Sequence, residues 1–253
     1  MTAQEETISL DGYTCRYLCK GEGEPLLYFH GSSDGGYWSQ TLEQLSHNYR
    51  VIAPVHPGFA GTERAEWIET VDDLVFHYLD VLAALDIQRF HLVGLSLGGW
   101  IAAEFATRYP ERLCSLSLVD AVGIRVSGHP YADLFLLNSD ELAPLTFFRP
   151  DEIELPGYQD PLVFRRNRRT LAQLAWSPRL HNPKLEERLH RIVTPTLVVW
   201  GRQDGIAPLG IGERFVEKIP NAQLKVIDEC GHVPNIERPK ELADALLDFV
   251  SHL

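Results

Sequence analysis

The stretch LVGLSLGGWIAAEF, residues 92–105, sets one serine among three glycines with an apolar run on either side. The run that leads into it, FHLVG (90–94), is β-rich and strand-length. The run that follows is helical as far as Tyr109, where Pro110 stops it. A chain that passes from strand to helix this quickly bends sharply, and the residue at the tip takes a strained backbone conformation. Glycines two before and two after that residue keep side chains out of the crowded neighbouring backbone. Gly94-Leu95-Ser96-Leu97-Gly98 therefore reads as a G-x-S-x-G bend that exposes one hydroxyl. The N–H groups of the following helix turn toward anything bound there.

The rest of the chain supplies a frame for such a bend. TISL and YTCRYL flank Asp11-Gly12 as an opening hairpin, and LLYF (26–29), RVIAP (50–54), LCSLSLVD (113–120), TLVVWG (196–201) and QLKVID (223–228) are further strands. A helical apolar face runs from Val71 to Leu85, with Thr70 and Asp73 as a capping box, and Pro239 opens a last amphipathic helix. Strands alternating with helices predict an α/β fold around a mostly parallel sheet. The rhythm breaks between residues 123 and 191, where three helical fragments stand without a buried strand: YADLFLLNSDELAPLTFF, PLVFRRNRRTLAQLAW and PKLEERLHRI. The expected organisation is a core of residues 1–122 and 192–253 with 123–191 as a helical insertion.

Composition narrows the function. The formal net charge of −12 argues against binding nucleic acid or anionic lipid, whose phosphates need Lys and Arg. The N-terminal MTAQEETISLDGY has no signal-peptide pattern, and the apolar runs are far shorter than a membrane span. Cys15 and Cys19 lie about 13 Å apart along one strand, too far for a disulfide. With Cys114 and Cys230 they read as free thiols of a cytoplasmic protein. The expected partner is a small-molecule substrate, with the oligomeric state left open.

A serine hydroxyl is a poor nucleophile unless a base takes its proton and a third group orients that base. LVVWGRQDGIAP (197–208) leaves Asp204 in the loop past a buried strand, and DECGHVPNIERP (228–239) holds His232 just before the closing helix. The order Ser96, Asp204, His232 places each group beyond a strand's carboxyl end, where open α/β sheets bind ligands. Asp120, also at a strand end, is the alternative acid, and Asp228 a weaker one. In LLYFHGSSDGGYW (26–38) a strand ends at His30-Gly31 and small residues follow. An oxyanion needs two N–H donors, here Leu97 and a residue of this loop, Ser32 or else Ser33.

The segments HG at 30–31, GLSLGG at 94–99, GRQD at 201–204 and GHVPNIERP at 231–239 together resemble the α/β-hydrolase superfamily over nearly the whole chain outside 123–191. The resemblance implies a cofactor-free, metal-free serine hydrolase of the carboxylesterase kind, with the insertion as a cap over the site. Ser96 in place of an aspartate nucleophile does not resemble epoxide hydrolases or haloalkane dehalogenases. The family's carbon–carbon hydrolases often carry Trp after the catalytic His and an Arg from the cap; Val233 stands here. APVHPGFAGT also departs from the family pattern, with Val55 for the usual acid and Ala60 for a glycine. The alternatives are hydrolysis of a vinylogous diketone and a receptor-like ligand-binding module on the same fold. In FRRNRRT (164–170), Arg165, Arg168 and Arg169 share a helix face. They are expected either to form a solvated stripe beside Glu186 or Glu187, or to send one guanidinium into the pocket toward a substrate carboxylate.

Overall fold

A computed structural model describes residues 2–153 and 160–253. They form an eight-stranded sheet of β1 (Gln4–Leu10), β2 (Tyr13–Lys20), β3 (Pro25–Phe29), β4 (Arg50–Pro54), β5 (Phe90–Leu95), β6 (Leu113–Val119), β7 (Thr196–Gly201) and β8 (Ala222–Ile227). The helices are α1 (Gln40–Leu45), α2 (Val71–Ala84), α3 (Leu97–Arg108), α4 (Ser139–Thr146), α5 (Pro161–Ala175), α6 (Leu185–Arg188), α7 (Gly210–Lys218), α8 (Pro234–Glu237) and α9 (Pro239–Ser251). The strands lie in the order β1-β2-β4-β3-β5-β6-β7-β8. Pairing is antiparallel for β1–β2 and β2–β4 and parallel from β4 to β8.

Period-two side-chain alternation builds a core on each face of the sheet. Leu27, Phe29, Leu92, Val198 and Trp200 pack with α2 and α3 on one side. Leu26, Tyr28, Val93, Leu197 and Val199 pack with α1 and α9 on the other. Strands buried on both faces are mostly apolar, which is why β5 and β7 read as near-continuous hydrophobic runs; the buried His91 of β5 is satisfied by Ser115 of β6 at 2.8 Å. The polar, exposed β1 borders the sheet at one end, and the largely exposed β8 at the other. The chain runs from β3 outward to β4, then returns to place β5 on the opposite side of β3. Such a reversal opens a crevice at the carboxyl ends of the two strands, and here those ends carry the His30-Gly31 loop and Ser96.

Over residues 123–191 the first expected helical fragment is helical only in α4. Asn138 starts this helix with a capping box to Glu141. Before it, Asp133 Oδ1 accepts the N–H groups of Phe135 and Leu136 in a turn that competes with helix. The segment is fastened to the sheet body by side chains. Ala60 N–H donates to Asn167 Oδ1 at 2.9 Å, Thr170 Oγ1 donates to Gly58 O at 2.8 Å, and Asn182 Nδ2 donates to the buried Glu104 at 2.7 Å. The four cysteines are free thiols.

Candidate active site

Ser96 sits between β5 and α3 with φ 52° and ψ −111°, a backbone conformation that L-residues rarely take. The strain falls on the serine, and the flanking glycines solve a different problem. A Cβ on Gly94 would stand 2.4 Å from Gly98 O, and one on Gly98 only 2.0 Å from Phe29 O. The bend is pressed against itself and against the end of β3, so neither position has room for a side chain.

The hydroxyl so placed meets its expected partners. His232 Nε2 lies 2.8 Å from Ser96 Oγ, and His232 Nδ1 lies 2.7 Å from Asp204 Oδ2. Asp204 Oδ1 accepts the N–H groups of Ile206 at 2.8 Å and Ala207 at 2.9 Å. With Nδ1–H given to Asp204, Nε2 keeps its lone pair for the serine proton. The His232 loop is itself pinned: His232 N–H donates to Thr146 O at 2.7 Å, at the end of α4. Glu237 accepts the N–H groups of Gly231 and Phe148, both at 2.7 Å. Burial raises the Glu237 carboxyl above its ordinary range.

The other acids lie elsewhere. Asp228 is exposed and ion-paired with Arg202. Asp120 is fully buried behind Asp204, and its Oδ1 accepts Gly201 N–H at 2.8 Å. Burial, and then the Asp204 charge, push the Asp120 carboxyl well above the usual carboxylate range. Asp120, Asp204 and His232 each bring a ligand-capable atom within 4.8 Å of the others. Two of these groups are already joined by the His232–Asp204 bond, and the serine takes the remaining imidazole nitrogen, so the arrangement suits proton transfer better than a cation.

The loop after β3 is held by a pair of buried histidines that the sequence reading passed over. His56 N–H donates to His30 Nε2 at 2.8 Å, and His56 Nε2 lies 2.7 Å from His30 O. His30 Nδ1 reaches Gly31 O at 2.5 Å, and His56 Nδ1 meets the Tyr78 hydroxyl. Every contact is satisfied with both rings neutral, and burial lowers both pKa values. The signal was a histidine inside APVHPGFAGT, the segment that departs from the family pattern. Ala60, in place of the usual glycine, takes φ 46° and offers its N–H to Asn167.

A cavity of about 520 Å³ opens at Ser96 and His232. Its walls include Leu134, Leu142, Phe147, Phe164, Leu171 and Val233, and Ser32 and Ser33 lie on its loop side. The N–H of Leu97, at the first position of α3, has no helical carbonyl behind it. The three arginines do not share one environment. Phe164, Arg168 and Leu171 form the stripe of α5 that lines the cavity, while Asn167, Thr170 and Leu174 take the buried stripe beside it. Arg165 and Arg169 are left exposed. Arg168 donates to Leu137 O at 2.8 Å and Leu134 O at 2.5 Å. Of the two expected acidic partners, Glu186 pairs with Arg214 at 3.3 Å instead.

A family model described as "Alpha/beta hydrolase family" matches residues 26–245. The chain belongs to the alpha/beta hydrolase family. Among curated relatives, a 2-hydroxymuconate semialdehyde hydrolase of Pseudomonas putida is 32% identical over 95% of this chain and 92% of its own. Monoacylglycerol lipase ABHD6 of Mus musculus is 27% identical over 91% of this chain and 76% of its own. Among solved structures, a meta-cleavage product hydrolase from Pseudomonas fluorescens IP01 superposes with a TM-score of 0.81 at 27% identity, covering 98% and 97% of the two chains. This hydrolase thus resembles enzymes that cut quite different bonds. Among its described residues, no helix is long and apolar enough to cross a membrane.

Proposed function

We propose that this hydrolase cleaves a carboxylic ester or similar acyl bond of a small, largely apolar substrate through an acyl-enzyme on Ser96. The observation that carries the reading is the unbroken hydrogen-bond chain from Asp204 through His232 to Ser96 at the base of a mostly apolar cavity. Ser96 Oγ attacks the carbonyl carbon as His232 Nε2 takes the hydroxyl proton, and Asp204 steadies the imidazolium. The N–H groups of Leu97 and of Ser32, with Ser33 as the alternative, receive the oxyanion. His232 returns the proton to the leaving alcohol, and water, activated by the same base, releases the acid. Residues 123–191 act as a cap that supplies the apolar walls, and a reducing, cytoplasmic setting suits the four free thiols.

A second reading, carbon–carbon cleavage of a vinylogous diketone, is favoured by the hydrolase from Pseudomonas putida and by Arg168 on the cavity wall, a cation suited to a substrate carboxylate. Against it, two of the guanidinium's nitrogens already bond to backbone carbonyls of the cap. A series of p-nitrophenyl esters of rising chain length, run beside a ring-cleavage dienone, decides between them. The ester reading expects many turnovers on esters and little on the dienone. It also expects an active-site phosphonate to add once, at Ser96. Turnover of the dienone alone would replace the ester reading, and a single slow turnover on either would leave a receptor-like module.

A further inference from the structure

Asp120 has no part in the steps just described, yet it is among the most deeply buried acids of the chain. It follows β6 with φ 43° and is 0% exposed. Its Oδ1 accepts Gly201 N–H, but its equally buried Oδ2 receives no donor. The Asp204 carboxylate lies directly beside it, within the same 4.8 Å group as His232. Two ionised carboxylates this close, without a cation between them, repel strongly in a buried place. An Oδ2 that carries a proton removes both difficulties, because the orphaned acceptor becomes a donor and Asp204 becomes its acceptor.

We propose that Asp120 is held as a neutral carboxylic acid that donates its proton to the Asp204 carboxylate and so positions the acid of the triad. The choice of which carboxyl holds the proton follows from the donors each receives. Asp204 takes three, from Ile206, Ala207 and His232, whereas Asp120 takes one, from Gly201. An ionised carboxylate has about four acceptor sites, and the Asp120 hydroxyl fills the one that remains on Asp204. Burial and the Asp204 charge act in the same direction on Asp120. Glu237, Cys230 and Tyr131 are the further titratable groups around the pair, each raised by burial, and Arg238 stands behind Glu237 and Cys230. Asp120 is a positioning residue, since it acts on substrate only through Asp204 and His232. The shared proton leaves a single negative charge to balance the His232 cation.

The inference rests on the triad reading, but its test needs no turnover. In carboxyl carbon NMR of the whole protein, one aspartate Cγ should remain in the carboxylic-acid region at pH 7 and should vanish in Asp120→Asn. A spectrum in which every aspartate is ionised, or a signal that survives the substitution, overturns the proposal. The second readout is the titration midpoint of the His232 imidazole, with the acid limb of kcat/KM beside it. Asparagine reproduces a protonated aspartate: Oδ1 still accepts from Gly201, and Nδ2 donates where the hydroxyl did. Asp120→Asn should therefore leave the midpoint in place. Were Asp120 ionised, the same change would remove a negative charge close to His232 and lower the midpoint by about one to two pH units. Asp120→Ala deletes the donor, concentrates the Asp204 charge on His232 and should raise the midpoint; an unmoved midpoint overturns the donor role. Loss of the hydrolytic reading would look different, as absence of a phosphonate adduct at Ser96 with the aspartate signals unchanged.

Discussion

The sheet body and the 123–191 segment meet at the same cavity but are held by different means. In the body, backbone packs on backbone: Gly94, Gly98 and Gly201 lie where any Cβ would fall within 2.4 Å of a carbonyl oxygen. Parallel strands fix the carboxyl ends of β5 and β7, and the loops carrying Ser96 and Asp204 leave from those ends. Among its described residues the insertion has no strand in that sheet, and side-chain bridges from Asn167, Thr170, Asn182 and Glu237 do much of the joining. Its α4 end nevertheless grips both loops, for Gly205 N–H donates to Leu145 O at 3.0 Å and His232 N–H to Thr146 O. The loops that carry the candidate triad thus rest on backbone packing, whereas several of the bridges from residues 123–191 run through single side chains.

The contrast makes four predictions, the largest at the loops proposed to carry catalysis. Asp204→Asn should lower kcat by about 10⁴-fold without unfolding the protein, because the amide favours the wrong imidazole tautomer. An equal loss in Asp120→Asn would move the triad acid to Asp120 and break the assignment of catalysis to the β7 loop.

Acid should attack the body before the insertion. His77 Nδ1 on α2 lies 2.7 Å from the Tyr13 hydroxyl, and burial lowers the pKa of its imidazole to about 4. The unfolded chain binds that proton near pH 6.5, so between about pH 6.5 and 4 it holds more protons than the native state, and stability rises with pH. His77→Gln should therefore lose about 3 kcal/mol less stability than the native chain as the pH falls through that window, as read by urea unfolding at several pH values. Equal losses would show that His77 does not carry the acid sensitivity.

Removing one bridge should loosen the insertion and spare the chemistry. Asn167→Ala leaves the Ala60 N–H without its partner, so stability should fall by about 1–3 kcal/mol. Hydrogen exchange should quicken in α5, with KM rising several-fold and kcat nearly unchanged. A fall in kcat equal to the rise in KM would mean that the bridge supports the catalytic loops as well. The smallest effects belong to the exposed arginines. Arg165→Ala and Arg169→Ala should each change stability by about 0.5 kcal/mol or less and leave the ratio of carboxylate-bearing to neutral ester turnover untouched. Arg168→Ala is the substitution of the three that should move that ratio, and no movement would leave Arg168 a brace for the 134–137 carbonyls.

The sequence by itself determined the sheet, the bend and the order of the three catalytic candidates. Strand runs buried on both faces are mostly apolar, helices carry one apolar stripe, and a glycine-flanked serine between them has few other uses, so local pattern carried the information. Even there the reason for the glycines was half legible: the crowding was expected, but that Phe29 O from β3 does the crowding at Gly98 follows only from the strand order. Asp204 could be preferred over Asp120 from its loop, yet both end a strand, and only the fold showed which one His232 meets. The partnership of His30 with His56, and which of the three arginines turns toward the cavity, could not be read from the sequence. His56 matters through a residue 26 positions away, and the inward face of α5 was set by contacts of Asn167 and Thr170 with the loop after β4, more than a hundred residues back. Periodicity tells which residues share a side of a helix, but which side turns toward the cavity depends on what packs beneath it, and that is decided by tertiary structure.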